Sequence, residues 1–363
     1  MTAAAGYPES VVEPPAHELT GIIHCHSTYS DGTGTVPEIA AAARANDLDY
    51  LLLTDHDTLA AAQNGEEGWH GSVLLLVGTE VSPHRRNHYL AFGLSEPIDH
   101  QGLTPAQIVA RVNEAGGFGF PAHPMSRGSE RFKRAGQGMP WDDLDADGYT
   151  GIELWSFVTD TADRVTSIAD LLRFVIAPQR FLDHPPRRNL DQWDRICGRR
   201  RCVGLGGTDA HQIGIRVAGR VPLRLMAYKR SFRHLRTHLL VEQPLRHELD
   251  ADRAAVFEAL RAGHAFMAVD SVAPARGFRF WAEGDSAPLT MGDEAPAGEW
   301  TLHVQLPAPA RVRLMRAGAE VAHASGTRLE HRAGSPGVYR VEAYREARGR
   351  ERTWILSNPV YLR

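Results

Sequence analysis

In its first two-thirds the chain repeatedly drives a short apolar run into a polar tip, and this limits its fold more than any other feature. "TGII" runs into His24, "YLLLT" into Asp55, and "SVLLLVGTE" carries Glu80 at its end. "FGFPAHP", "GIELWS" and "CVGLGGTDAH" repeat the pattern. Continuous apolar runs of this length suit strands buried on both faces. Helical patterns separate them. "TVPEIAAAARANDL" has Thr35 as its cap and Pro37 in its first turn, and "TPAQIVARVNEAGG" opens at Thr104 and Pro105 and closes at Gly116 or Gly117. "NLDQWDRICG" places Gly198 past a helix end, "HYLAFGL" is a strand close behind Glu80, and "THLLVE", "DADRAAVFEALRAG" and "AFMAVD" continue the alternation. Strand–helix alternation predicts an α/β fold with a parallel sheet or barrel.

After about Ser271 the style changes to short alternating runs broken by Gly and Pro, such as "GFRFWAEG", "EWTLHVQLP" and "GVYRVEAYRE". That signature predicts a small antiparallel β-sandwich over residues 272–363, with the boundary near Val272–Gly277. Residues 1–18, rich in Pro, Ala and Glu, read as a loose arm with no basic start and no apolar signal region. No run approaches the roughly 18 apolar residues of a membrane span. The three cysteines, Cys25, Cys197 and Cys202, form no CxxC pair, which argues against a disulfide framework and a Cys-based zinc site and fits a reducing cytoplasm. Oligomeric state is not legible, and no specific nucleic-acid partner is indicated.

The polar tips collect one kind of chemistry. His24 and His26 stand two apart in "HCH", so they share a side while Cys25 faces the core. His56 lies in "TDHD", Glu80 in "GTEVS", His123 in "PAHP", and Asp209 and His211 in "TDAH". Strand ends of parallel α/β barrels converge on one rim. That many imidazoles and carboxylates on one rim would be costly without cations between them. A lone histidine is more often a hydrogen-bonded surface or core residue, and His70, His84, His100, His234, His238 and His247 carry no more than that reading. His88 would reach the rim if its strand returns antiparallel from Glu80, with His84 as its rival. Asp31 serves equally as a ligand or as the cap of a short polar turn. Glu153 reads as pocket lining or as a strand-end hydrogen-bonding group.

HxH followed by Asp31, then TDHD, GxE, PAHP and TDAH, resembles the PHP (polymerase and histidinol phosphatase) superfamily over about Thr20 to Asp270, within an expected barrel domain at residues 19–271. The C-terminal strands ending in "SNPVYL" resemble its CehA/McbA-like branch. The resemblance implies a distorted (β/α)7 barrel with two or three divalent ions in a cleft on its rim. It implies that His24, His26, Glu80 and Asp209 hold one ion. Glu80 would bridge to a second, held also by His88 and His123, and Asp31, His56 and His211 would hold a third. Glu80 and Asp209 are the residues expected to carry catalysis.

Mixed His and carboxylate ligation suits Zn²⁺, Mn²⁺ or Fe²⁺. Paired ions would lower the pKa of a bridging water toward about 7 and clamp phosphoryl oxygens. The expected activity is hydrolysis of a phosphodiester or phosphomonoester. A carbamate or carboxyl-ester hydrolase using the same centre is the alternative, and a non-catalytic module stapled by metal is a third reading. Arg85 and Arg86 could bind non-bridging oxygens, or merely form an exposed turn. "GLGG" is too short for a phosphate loop, and Gly206–Gly207 reads as a close backbone approach to the metals.

From Arg173 to Arg236 fifteen Lys/Arg face four Asp/Glu, which is a solvated flank or a surface drawing anionic substrates. The insertion at about residues 157–195 contains "VTSIADLLRFVIAPQRFL". Ile168, Leu171, Leu172 and Val175 stand there at helical core spacing, and Phe174, Ile176, Phe181 and Leu182 lie off that stripe. Core packing is one reading. The other is a groove for an amphiphilic, lipid-like substrate, with Arg173, Arg180, Arg187 and Arg188 near its anionic head.

Overall fold

The computed structural model describes residues 14, 16–131, 137–214 and 224–363. Most of the expected N-terminal arm lies outside the described residues, but His17 and Glu18 belong to the first strand, β1 (His17–Ile23). After it come α1 (Val36–Arg44), β2 (Tyr50–Leu53), the single turn α2 (Ala60–Gln63), the edge strand β3 (Gly68–His70) and β4 (Val73–Val77). β1, β2 and β4 are parallel neighbours, and every residue of β2 and β4 is buried. The Thr35 backbone N–H donates to the Glu38 carboxylate at 2.9 Å, fixing the start of α1. That helix packs Val36, Ile39 and Ala43 in one core with Leu51, Leu53, Leu75 and Cys25.

β5 (Thr79–Val81), β6 (Tyr89–Phe92) and β7 (Phe118–Pro121) form an antiparallel meander, with α3 (Pro105–Glu114) between the last two. The link from β5 to β6 is too short for a parallel crossover, which needs about a dozen residues. The chain therefore doubles back, and Glu80 pairs with Leu90. β8 (Gly151–Ser156) then leads through α4 (Phe157–Ala162), α5 (Ile168–Ile176), a 3₁₀ turn (Pro178–Phe181) and α6 (Arg187–Cys197) to β9 (Val203–Gly207), its parallel partner. Beyond lie the two-residue strands β10 (Ile213–Gly214) and β11 (Arg224–Leu225), the turn α7 (Tyr228–Ser231), β12 (Leu235–Val241), α8 (Leu249–Ala262) and β13 (Ala265–Val269). β12 runs antiparallel to both β1 and β13.

The expected (β/α)7 barrel is therefore not closed by a continuous ladder. Separate sheets meet through a few backbone bonds: Thr208 N–H donates to the Ile23 carbonyl at 2.9 Å and His26 N–H to the Ala210 carbonyl at 2.9 Å, and Thr150 N–H donates to the Gly119 carbonyl at 3.0 Å. At Gly206 the Thr237 hydroxyl stands in for a neighbouring strand, bonding its N–H at 3.1 Å and its carbonyl at 2.9 Å. No helix among the described residues is long and apolar enough to cross a membrane.

From Arg279 onward every regular element is a strand: β14 (Arg279–Glu283), β15 (Leu289–Thr290), β16 (Glu294–Ala295), β17 (Trp300–Arg316), β18 (Ala319–Ala333), β19 (Gly337–Ala347), β20 (Arg350–Ser357) and β21 (Val360–Leu362). They pair antiparallel except β16 with β21, and they enclose their own apolar core. The change of style near residues 272–277 is not a break in the sheet. β20 ladders with β13, Phe266 opposite Ser357. The Asn358 side chain accepts from Gly204 N–H at 2.7 Å and donates to the carbonyls of Gly204 and Ala265 at 3.0 and 2.9 Å. Buried Arg340 reaches back to Asp194 on α6 with two bonds of 2.8 Å.

The apolar stripe on α5 is reversed from the core reading. Ile168, Leu171 and Leu172 are 62%, 39% and 56% exposed, and Ile176 is 70% exposed. Phe174 and Leu182 point inward instead, the Phe174 ring standing edge-on to Phe157 and Phe181. Periodicity identifies residues that share a helix face but not which face the core receives.

Candidate metal centre

The ligand candidates stand at the ends of β1, β2, β5, β7 and β9, and the backbone at three of them is left-handed. His24 follows β1 at φ 69°, His123 lies just past β7 at φ 33°, and Asp209 just past β9 at φ 50°. Non-glycine residues pay for such conformations, and they concentrate at sites where side chains must be aimed. The HCH spacing works through this kink and not through strand alternation. β1 ends at Ile23, and Cys25 makes only a single parallel bridge to Ala210.

Glu80 is the hub. It is buried at 1% exposure, and its Oε1 lies 2.9 Å from His88 Nδ1 and 3.2 Å from His123 Nε2. Its Oε2 lies 3.1 Å from His24 Nε2, 3.3 Å from His26 Nε2 and 3.3 Å from His56 Nδ1. Asp209 Oδ1 stands 3.4 Å from both His24 and His26. On the open side, Asp31 reaches His211 Nε2 at 3.2 Å and His56 Nε2 at 3.6 Å. The antiparallel return of β6 carries His88 into this cluster and leaves its rival His84 exposed on the turn.

Three further groups hold the ligands in place. Glu153 lies at a register shift between β8 and β9, a bulge that re-aims a side chain. Its carboxylate meets His24 Nδ1 at 3.0 Å and accepts from the His123 backbone N–H at 2.6 Å. Of the two readings of Glu153, pocket lining and strand-end hydrogen bonding, the geometry matches the second, its buried carboxylate meeting two candidate ligand residues. Gly207 makes room for it: a Cβ there would sit 1.8 Å from Glu153 Oε1. The close approach expected of Gly206–Gly207 is thus toward a carboxylate, while a Cβ on Gly206 would meet Met267 and Leu235. Thr159 on α4 donates to Asp209 Oδ2 at 2.5 Å, and Asp55 accepts from Ser27 N–H and Oγ at 2.7 and 2.6 Å, bracing the loop between His26 and Asp31. The "TDHD" motif alone assigns Asp55 no role. Thr159 had no local signal at all.

Arg85 and Arg86 take the exposed-turn reading. Arg85 is exposed at φ 74°, and Arg86 pairs with Asp142 at 2.6 Å. Arg86 does line a cavity of about 790 Å³, together with Pro124, one residue beyond His123 in sequence, and with Arg127 and Arg188.

Burial would push the Glu80 carboxyl up, yet His24, His88 and His123 hold it well below the usual carboxylate range. Asp209 is held low in the same way, against its burial, by His24 and His211. His211, against the effect of its burial, is pushed up to about 9 by Asp209 and Asp31. Carboxylates and imidazoles thus stabilise each other's charged forms, the environment a divalent cation would replace.

The arrangement fits such cations. Nδ1 of buried His26 and Nδ1 of buried His123 have no hydrogen-bond partner, which buried imidazoles rarely tolerate, and His26 Nε2 meets Glu80 and Asp209 only at 3.3 and 3.4 Å. Ligand atoms lie within 4.8 Å of one another in four overlapping groups: His24–His26–Glu80, His24–His123–Asp209, His56–Glu80–His88 and His26–Asp31–His56–His211. The third expected set, Asp31 with His56 and His211, therefore recurs with His26 added. Among the described residues every grouped ligand falls between His24 and His211.

No family model matches the chain. It is similar to a 5'-3' exoribonuclease from Haemophilus influenzae, 38% identical over 61 residues, or 16% of this chain and 22% of that protein. It is also similar to a phosphoribosyl 1,2-cyclic phosphate 1,2-diphosphodiesterase from Eggerthella lenta, 34% identical over 80 residues, or 20% of this chain and 30% of that protein. The matches thus span less than a third of these curated relatives. Among solved structures, a two-domain protein from Bacteroides vulgatus containing a predicted PHP-like metal-dependent phosphoesterase aligns over 98% of this chain and 100% of its own, with TM-score 0.43 and 14% identity.

Proposed function

We propose that this protein is a metal-dependent hydrolase of phosphoric esters of the PHP type, acting at the Glu80 centre. The observation that carries this is the single buried carboxylate whose two oxygens are shared by five imidazoles. Glu80, His24, His26 and Asp209 would hold one cation, Glu80 with His88 and His123 a second, and Asp31, His56 and His211 a third. When bound, such ions supply positive charge to phosphoryl oxygens and acidify water. The chain's own part is to orient the ligands. Glu153 fixes the tautomer and direction of His24 and holds the backbone at His123, and Thr159 leaves one Asp209 oxygen to face the cluster. Carboxylate partners of this kind behind metal-bound imidazoles raise ligand basicity.

The names of the two curated relatives, a ribonuclease and a diphosphodiesterase, support phosphoric esters over carbamates or carboxyl esters. A panel of a phosphodiester, a phosphomonoester and an aryl carbamate with added Mn²⁺ tests the choice. Turnover of a phosphoric ester that chelator abolishes is expected. Turnover of the carbamate alone would overturn it.

A finer reading makes the substrate amphiphilic. The exposed face of α5 supports it, since Ile168, Leu171, Leu172 and Ile176 together present an apolar strip of a kind that commonly marks a binding surface. Leu172→Ser/Ile176→Ser should then slow hydrolysis of an acyl-bearing phosphodiester and spare a short water-soluble one. Equal rates of wild type and variant on both substrates would remove the tail from the proposal.

A further inference from the structure

A second concave site lies between the insertion after α4 and the β19–β20 hairpin, and it shares no residue with the metal centre. Its volume is about 580 Å³, and among the described residues its lining is Phe181 with six arginines: Arg164, Arg173, Arg180, Arg348, Arg350 and Arg352. Among the described residues no carboxylate lines it. Two acids stand near enough to pair with the wall. Asp183 meets Arg352 at 3.1 Å and Arg164 at 3.5 Å, and Asp170 meets Arg173 at 2.9 Å. The charge of six guanidinium groups therefore exceeds what two carboxylates offset.

Like charges gathered around one cavity repel, and a fold keeps them there at a cost in stability. Two observations point to an anion as what relieves that cost. Arg352 is only 5% exposed, its Nη1 donates to the Gln179 carbonyl at 2.6 Å, and its Nε has no partner. A neighbouring cavity of about 280 Å³ shares Arg348 and Arg352 and adds Arg230, Arg233 and His234. His234 is 6% exposed, and neither of its ring nitrogens has a partner. An unpaired buried guanidinium N–H beside a partnerless imidazole is an arrangement that accepts phosphoryl oxygens, and guanidinium forks match them bidentately.

We propose that this arginine-lined cavity binds a multiply charged phosphate group, separately from the metal centre. The same chemistry is offered by a soluble polyphosphorylated compound and by the head of an anionic phospholipid, and the test separates them. Binding of inorganic tripolyphosphate to the full-length protein, saturated with Mn²⁺, is measured by calorimetry beside Arg348→Glu/Arg350→Glu. Both substituted side chains are exposed and lie outside the metal centre. A parallel arm measures cosedimentation with phosphatidylglycerol and with phosphatidylcholine vesicles.

The expected result is tripolyphosphate binding that the double variant weakens about tenfold or more and that salt weakens further. Metal content and hydrolysis of a small phosphoester should stay unchanged. Binding to phosphatidylglycerol vesicles that the variant loses, without tripolyphosphate binding, also supports the site and assigns it to a lipid head. If the variant binds tripolyphosphate and phosphatidylglycerol vesicles as wild type does, or wild type binds neither, the proposal fails.

Discussion

Single residues decide whether the centre assembles. Glu80→Gln removes the charge that five imidazoles share, and it is expected to lower both metal content and turnover more than any other single change at the site. Glu153→Gln keeps the shape but weakens the hold on His24, so metal affinity should fall by about 10- to 100-fold with the fold intact. Gly207→Ala should have a comparable effect by a steric route, because its methyl would occupy the space of Glu153 Oε1. Metal titration with circular dichroism as a control checks both, and wild-type affinity in Gly207→Ala would show that Glu153 does not need its observed position. Asp160 offers a separate test. Its burial, with Asp163 and Glu153 nearby, pushes its carboxyl up to about 7. A raised carboxyl pKa stabilises the fold below the unfolded value and loses that contribution as pH rises through about 7. Asp160→Asn should therefore raise Tm at pH 8, by a gain of about 1–2 kcal/mol, and by about a third of that at pH 5. Equal shifts at both pH values would contradict the assignment.

The secondary-structure elements show how much of the site was legible from sequence. Buried strands ending in His or Asp announced themselves as unbroken apolar runs, and the ligand residues at their tips are the ones the fold gathers. His88 was ambiguous because its place depends on a turn. Once the short link forces an antiparallel return, His88 enters the cluster and His84 stays outside. Glu153 was legible as a strand tip but not in its role, since its direction comes from a bulge and from a glycine on the facing strand. Thr159 could not be found from spacing, because its partner Asp209 lies fifty residues away. On α5 the stripe was visible and its direction was not. The exposed strip predicts that Leu172→Ser/Ile176→Ser leaves thermal stability within about 0.5 kcal/mol, as surface changes do. A core stripe would instead cost about 2 kcal/mol or more.

At the scale of the whole molecule, the C-terminal strands are fastened to the half that carries the candidate metal centre through groups the sequence alone does not pair. Asn358 grips β9, the strand that ends just before Asp209, and Arg340 grips α6. Arg340→Met would leave Asp194 and Glu342 without their buried partner. Breaking such a pair costs about 3–5 kcal/mol, so the midpoint of chemical denaturation should fall clearly. One transition shared by both halves is expected, because β13 and β20 belong to one ladder. Two resolved transitions, with only the C-terminal one shifted, would show that the halves fold independently. The breaks between sheets that leave the barrel unclosed were not legible, because they depend on which strand edges meet in three dimensions.

The most direct test of the central claim is elemental analysis of the full-length protein purified without chelator, beside Glu80→Gln. The account predicts about two to three equivalents of divalent metal per chain in wild type and a clear loss in the variant. Less than one equivalent in a normally folded wild type, or equal content in both proteins, would contradict it.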